Sequence, residues 1–145
     1  GGTGTDIQRR GAPMSGETWC AEANLTTPEI VAAVDRDYIA CGADAITANT
    51  FATSALLFNH LGRSEDVARI DAVAVEIAKR AADGRVPVAG SFSTMRPVVA
   101  GSDRTQKQRE WPEAEARRLF AAKAEGLAKA GITATWAAGC NAWVP

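Results

Sequence analysis

Apolar positions along the chain fall into two kinds of block. Val31, Val34 and Tyr38 recur at helical spacing behind Thr27-Pro28-Glu29. There a threonine can cap, a proline suits the first helical position, and an acid favours the positive helix end. Gly42 is a natural stop for that helix. Val67, Ile70, Val73, Ile77 and Ala81 form a longer stripe, opened by Ser64 as a cap with Glu65 and Asp66 in the first turn, and closed by Gly84. A third stripe, Leu119, Phe120, Lys123 and Leu127, begins behind Trp111-Pro112-Glu113 and stops at Gly131. The Lys123 stem is expected to lie along the apolar side with its head in water. A shorter helix runs from about Ser54 to Leu61 and breaks at Gly62. The second kind of block is short: residues 45–50, 86–92 and 132–137 read as strands.

The strand centres near Ile46, Val88 and Thr133 lie 42 and 45 residues apart, with helical pattern between them. Such alternation implies right-handed crossovers and a parallel sheet. The fold class is therefore α/β. The expected architecture is a partial (β/α)8 TIM barrel of roughly the first four β/α units, with the first strand truncated, because no strand and no initiator Met precede Gly1. A doubly wound sheet fits the same alternation. A closed barrel needs eight units and typically about 250 residues, so 145 residues would leave unpaired edges. Alone, the chain is expected to be marginal in stability or to self-associate through those edges. Residues 6–25 have no clean period and are punctuated by Gly11, Pro13 and Gly16, which suggests a short helix or turn and then a loop. Residues 93–110 read as a charged loop of the length seen in lids, and the tail 138–145 fits no element.

Composition narrows the function classes. The chain is 46% hydrophobic and 23% charged with a net charge of -1, the balance of a soluble globular domain and not of a disordered one. No positive field invites nucleic acid or an anionic membrane, and no apolar run approaches the roughly 20 residues that span a bilayer. Arg9-Arg10 and Arg117-Arg118 read as solvated faces. Cys20, Cys41 and Cys140 form neither a disulfide framework nor a Cys-x-x-Cys zinc pattern, so each is expected to be a small buried or semi-buried residue in a reducing, cytoplasmic setting. His60 is the one histidine and falls at a polar helix end. With no Cys-His or Ser-His-Asp arrangement, a nucleophilic hydrolase has little support, and no residue is assigned a catalytic role.

The candidate chemistry gathers at predicted strand ends, where barrel enzymes keep their sites. Gly1-Gly2-Thr3-Gly4-Thr5 could cradle phosphate or form a tight turn where backbones approach closely. Asn49-Thr50-Phe51 closes one strand, and the Asn49 amide can orient a ligand or a neighbouring loop. Gly90-Ser91 closes the next. Trp19 stands in a loop and could wall a pocket or cover the barrel end.

These segments, with Asn24-Leu25, Asp37-Tyr38-Ile39, Gly42-Ala43-Asp44 and Val88-Ala89-Gly90-Ser91, resemble the homocysteine S-methyltransferase family. That family includes the betaine– and S-methylmethionine–homocysteine methyltransferases and the homocysteine half of cobalamin-dependent methionine synthase. Order and spacing agree over about residues 1–131, so residues 1–145 read as the N-terminal half of a homocysteine-binding barrel with a departing tail at 132–145. The resemblance implies a β/α barrel in which zinc on cysteine thiolates binds the homocysteine sulfur as a thiolate, which takes a methyl group and gives methionine. It implies substrate-binding positions at Gly1, Gly2, Trp19 and Thr50, with Asn49 and Ser91 at the same barrel mouth. The implied partners are homocysteine and a methyl donor.

Three features depart from the family. The Asp that precedes its glycine pair would stand before Gly1. Its Gly-Gly-Cys-Cys zinc pair is absent, and Cys20, Cys41 and Cys140 do not match its metal ligands. Its Glu at the third strand end has no counterpart in 132–140, as a frameshift or truncation near Gly131 would explain. By itself the chain is therefore expected to bind no zinc and to be inactive. The other readings are a non-catalytic half-barrel interaction module, or a different TIM-barrel enzyme with a phosphate-binding glycine loop.

Overall fold

A computed structural model of the protein describes residues 2–94 and 112–138. Gly1, Cys140, Trp111, the tail and nearly all of the loop expected at 93–110 lie outside the described residues.

The chain opens on helix α1 (Thr3–Arg9), so the glycine run leads into a helix and Gly2 is its extended N-cap. Ile7 on its inner face is fully buried. A single turn of helix, α2 (Ala23–Thr26), follows in what the sequence presents as loop. Helix α3 (Pro28–Ala40) has Pro28 in its first turn as expected, but Thr27 does not cap it. The Thr27 hydroxyl instead donates back to the Ala23 carbonyl at 3.4 Å, satisfying α2. Strand β1 (Ile46–Thr47) is much shorter than the predicted 45–50. The chain leaves the ladder because the Thr50 amide turns back onto the Ala48 carbonyl at 2.7 Å.

Helix α4 (Ala55–His60) is capped by Ser54, whose hydroxyl accepts from the Leu57 amide. Helix α5 (Ser64–Ala82) is the long stripe. Ser64 does not cap it: the N-cap is Arg63, and the Ser64 hydroxyl donates to Asn59 Oδ1 at 3.0 Å. Strand β2 (Val88–Ser93), helix α6 (Glu113–Lys129) and strand β3 (Thr135–Ala138) complete the order. The third strand starts later than predicted, since Ile132 is still tied to the end of α6 through its amide and the Leu127 carbonyl. Gly131 makes that turn at φ +89°, and a side chain there would also meet the Lys79 ammonium.

The three strands lie side by side in the order β1-β2-β3. Both pairings are parallel, with Ile46 opposite Val88 and Gly90 opposite Thr135. Helices α4 and α5 join β1 to β2, and α6 joins β2 to β3, which is the βαβ alternation the sequence predicts. Helix α5 organises the core, because successive turns of its apolar face serve different clusters. Val67 and Ile70 pack with Cys20, Leu57 and Phe58. Ile77 packs with Ile7, Val31 and Val34. Val75 and Ala78 pack with Ile46, Leu127 and Ile132 against the sheet.

Two expectations about single residues are corrected here. Cys41 is exposed, not semi-buried, because it is the residue on which α3 ends. Lys123 does not reach water: its side chain is 0% exposed, since partners for the ammonium are supplied inside. His60 is exposed at the end of α4, as the sequence suggests. Among the described residues, no helix is long and apolar enough to cross a membrane.

Candidate functional site

Thr50, three residues past the end of β1, is joined to Ser91, which lies inside the neighbouring parallel strand β2. The Ser91 amide donates to Thr50 Oγ1 at 2.8 Å. Thr50 Oγ1 lies 3.1 Å from the Ser91 carbonyl, to which it can donate, and 3.2 Å from Ser91 Oγ. Both residues are buried. Gly90, just before Ser91, packs tightly under α6, where a Cβ would sit 3.0 Å from Leu127 Cδ1 and press on that side chain. The hydroxyl pair is therefore built by a strand-to-strand crossing that sequence separation hides.

Asn49 sits one residue earlier and faces the N-terminal segment. Its Nδ2 donates to the Cys20 carbonyl and to Asn24 Oδ1, both at 3.0 Å. Its Oδ1 accepts from the Cys20 thiol at 3.4 Å. In return Asn24 Nδ2 donates to the Asn49 carbonyl at 3.0 Å. The two amides form a closed pair, so Asn49 spends its hydrogen bonds on docking residues 20–24 against the strand end. A buried amide left unpaired would be costly, and this reciprocal pairing removes that cost.

Trp19 is held next to this junction in a left-handed conformation, φ +50°. Such a backbone is strained for a bulky residue and is sustained only by its surroundings. A short bridge supplies them: Ser15 and Trp19 exchange backbone hydrogen bonds at 3.0 Å, and Ser15 Oγ accepts from the amides of Glu17 and Thr18. The indole lies over Gly4, where a Cβ would sit 2.6 Å from Trp19 Cη2 and 2.9 Å from Cys20 Sγ. The close approach read from the glycine run is thus real, and it is a ring, not a backbone, that approaches. Gly2 stands at the N-cap of α1, two residues before this contact.

Sequence-singled residues thus fall into one connected group: Thr50 bonded to Ser91, Asn49 bonded to Cys20, and Trp19 adjacent to Cys20 over Gly4. Gly1 lies outside the described residues. Sequence reasoning missed Asn24, Thr53, Asp71 and Lys123. Asp71 and Lys123 form a buried ion pair at 2.6 Å behind the strand end. The signal was present: one acid beside the α5 stripe and one lysine within the α6 stripe, of opposite sign. Burial pushes the Asp71 carboxyl up, opposed by Lys123 and Thr53, and pushes the Lys123 ammonium down, opposed by Asp71.

Burial raises the Cys20 thiol to about 11, against lesser opposition from hydrogen bonding, so it stays protonated and is a poor metal ligand or nucleophile. Among the described residues, no three His, Cys, Asp or Glu side chains come together so as to hold a metal ion. The zinc that the resemblance implies is not fitted by these residues.

Comparison with known proteins places this group in context. A homocysteine S-methyltransferase family profile matches residues 1–140. Homocysteine S-methyltransferase 2 of Arabidopsis thaliana is 30% identical over 110 residues, which are 70% of this chain and 33% of that protein. Selenocysteine methyltransferase of Astragalus bisulcatus is 33% identical over 84 residues, 57% of this chain and 25% of that protein. The fold is similar to the crystal structure of the homocysteine methyltransferase MmuM from Escherichia coli in its metallated form, with a TM-score of 0.73 at 20% identity, over 94% of this chain and 51% of that one. The chain therefore spans about a third of the plant enzyme and about half of the bacterial structure.

Proposed function

Because the chain belongs to the homocysteine S-methyltransferase family, we propose that it forms the homocysteine-receiving part of a methyltransferase built on a β/α barrel. The observation that carries this reading is the family match over residues 1–140, together with the hydroxyl pair of Thr50, just past β1, and Ser91, in the adjacent parallel strand β2. In the reaction proposed, the homocysteine thiol loses its proton and a sulfur lone pair forms the new S–CH3 bond. The bond between the methyl carbon and the donor's leaving group breaks with its electron pair, and methionine results. Homocysteine and a methyl donor are the partners of that reaction.

The part taken by this chain is positioning. Hydroxyls that both donate and accept, as on Thr50 and Ser91, suit the polar end of an amino acid. The half-buried Trp19 offers an apolar wall that keeps water from the sulfur chain. Gly2, the extended N-cap of α1, supplies backbone without a side chain. Asn49 acts at one remove, by fixing residues 20–24 and hence Trp19. For zinc the described residues offer no ligand set. On this reading the 145-residue chain binds homocysteine weakly and forms no methionine on its own.

The test is a titration of isotope-labelled protein with L-homocysteine, L-serine and inorganic phosphate, followed by NMR. Homocysteine is expected to move the resonances of Trp19, Thr50 and Ser91, and Thr50→Val to weaken that response. If phosphate alone acts, and acts at Gly2–Thr5, the barrel-enzyme reading with a phosphate loop replaces this one. If nothing binds, the non-catalytic interaction module takes its place.

A further inference from the structure

Asp71 and Lys123 are buried together behind the turn that follows β1, their side chains 2% and 0% exposed. Lys123 Nζ lies 2.6 Å from Asp71 Oδ2. It also donates to the carbonyls of Thr50 at 3.1 Å and Thr53 at 2.9 Å, and to Thr53 Oγ1 at 2.9 Å. An ammonium has three protons for these four acceptors, so one proton is shared. Thr53 Oγ1 in turn reaches the Thr50 carbonyl at 2.8 Å and contacts Asp71 Oδ1. The turn 50–53 is thereby held at both ends from the helix layer, by one residue of α5 and one of α6. On its other side, Thr50 presents Oγ1 to Ser91.

We propose that Lys123 and Asp71 are positioning residues: the buried pair fixes the turn 50–53 and, through the Thr50 backbone, aims the Thr50–Ser91 hydroxyl pair at the strand ends where substrate is received. The substrate part of this inference rests on the homocysteine reading above; the clamp itself does not. Stability alone does not require the pair, because buried ion pairs are commonly replaced by apolar side chains of similar volume without loss. Apolar side chains cannot donate to two carbonyls. The four-way ammonium site is thus specific to holding this turn, and it couples α5 and α6 to the backbone that follows β1.

The experiment compares the full 145-residue chain with the double variant Asp71→Leu/Lys123→Met by amide hydrogen exchange, thermal unfolding and homocysteine affinity. The unfolding midpoint is expected to stay near that of the parent. Exchange at the Ser91 amide, which donates to Thr50 Oγ1, is expected to speed by about tenfold or more, the scale set by losing a charge-assisted hydrogen bond. The Ala48 amide, which donates to the Ala89 carbonyl within the sheet, is expected to exchange as before. Homocysteine affinity is expected to fall by about tenfold while the midpoint does not follow.

Unchanged Ser91 exchange in the folded double variant overturns the clamp. Faster Ser91 exchange with unchanged homocysteine affinity overturns the positioning role. If the parent chain binds no homocysteine, the substrate reading falls, and the exchange measurement still decides the clamp. Should the double variant not fold, Thr53→Val carries the same test with both charges kept, because it removes only the hydroxyl that joins Thr50, Asp71 and Lys123. Thr53→Ser, which restores that hydroxyl, is expected to restore slow exchange at Ser91; failure to do so overturns the proposal.

Discussion

At the scale of one residue, Asp35 on α3 stands apart from the paired polar groups around the site. It is 1% exposed, and its Oδ2 has no hydrogen-bond partner among the described residues. Burial raises its carboxyl to about 7, with only Arg36 acting against it. In the unfolded chain the same carboxyl has its ordinary value of about 3.9. Between those two values the native state holds a proton that the unfolded state has lost, so stability falls as pH rises through this window. The contribution is complete below about pH 4 and gone above about pH 7. Asp35→Asn keeps the shape of the protonated acid and removes the titration. Urea midpoints at pH 5 and pH 8 are expected to show the variant gaining about 2 kcal/mol on the parent between the two. An equal difference at both values would mean that Asp35 finds a counter-charge or water and is not buried as an acid.

At the scale of elements, the ion pair between α5 and α6 makes a prediction that separates charge from volume. Among the described residues, Lys123→Met alone leaves the Asp71 carboxylate buried with only the Thr53 hydroxyl for company. Removing one partner of a buried pair typically costs about 3–5 kcal/mol, whereas replacing both is often close to neutral. Denaturant unfolding of the single and double variants is expected to show that order. A single variant costing under about 1 kcal/mol would mean that water reaches the pair.

The same two helices show what the sequence could and could not disclose. Their apolar stripes were legible, because Val67, Ile70, Ile77, Leu119 and Leu127 repeat at the helical period whatever they pack against. The fate of Lys123 was not, because a lone lysine in a stripe looks the same whether it bends to water or meets an acid 52 residues away. Caps failed for a similar reason. Thr27 and Ser64 have the right residue types, but each hydroxyl had a competing acceptor nearby, Ala23 and Asn59. Ser54 caps while also donating to the Ser93 carbonyl, because its oxygen can accept from the Leu57 amide at the same time. The site divides along the same line. Pattern places Asn49, Thr50 and Ser91 at strand ends; Asn49 and Thr50 in fact follow β1 and Ser91 lies within β2, while the Asn24–Asn49 exchange and the Thr50–Ser91 crossing span 25 and 41 residues and leave no local trace.

At the scale of the molecule, the parallel sheet has two edges. In β1 the amides of Ile46 and Ala48 point to β2, donating to Pro87 and Ala89. Thr47, between them, therefore turns its amide to the opposite side, where no strand pairs among the described residues. An unpaired edge of this kind is a template for a further strand, and parallel sheets are ordinarily covered on both faces and closed or continued at their edges. The bacterial methyltransferase structure that this fold matches is about twice the length of the matched portion, so its remaining half is available to do what this chain alone leaves undone. The 145-residue protein in isolation is expected to satisfy the edge with a second copy. Sedimentation across a wide dilution series should then show a concentration-dependent shift toward a larger species, and the thermal midpoint should rise with concentration, because association stabilises by mass action. Thr47→Pro, which removes the outward donor without touching the bonds to β2, should weaken the association more than the fold. A species that stays monomeric at all concentrations and melts in one sharp, concentration-independent step would mean that three strands and their helices are sufficient alone.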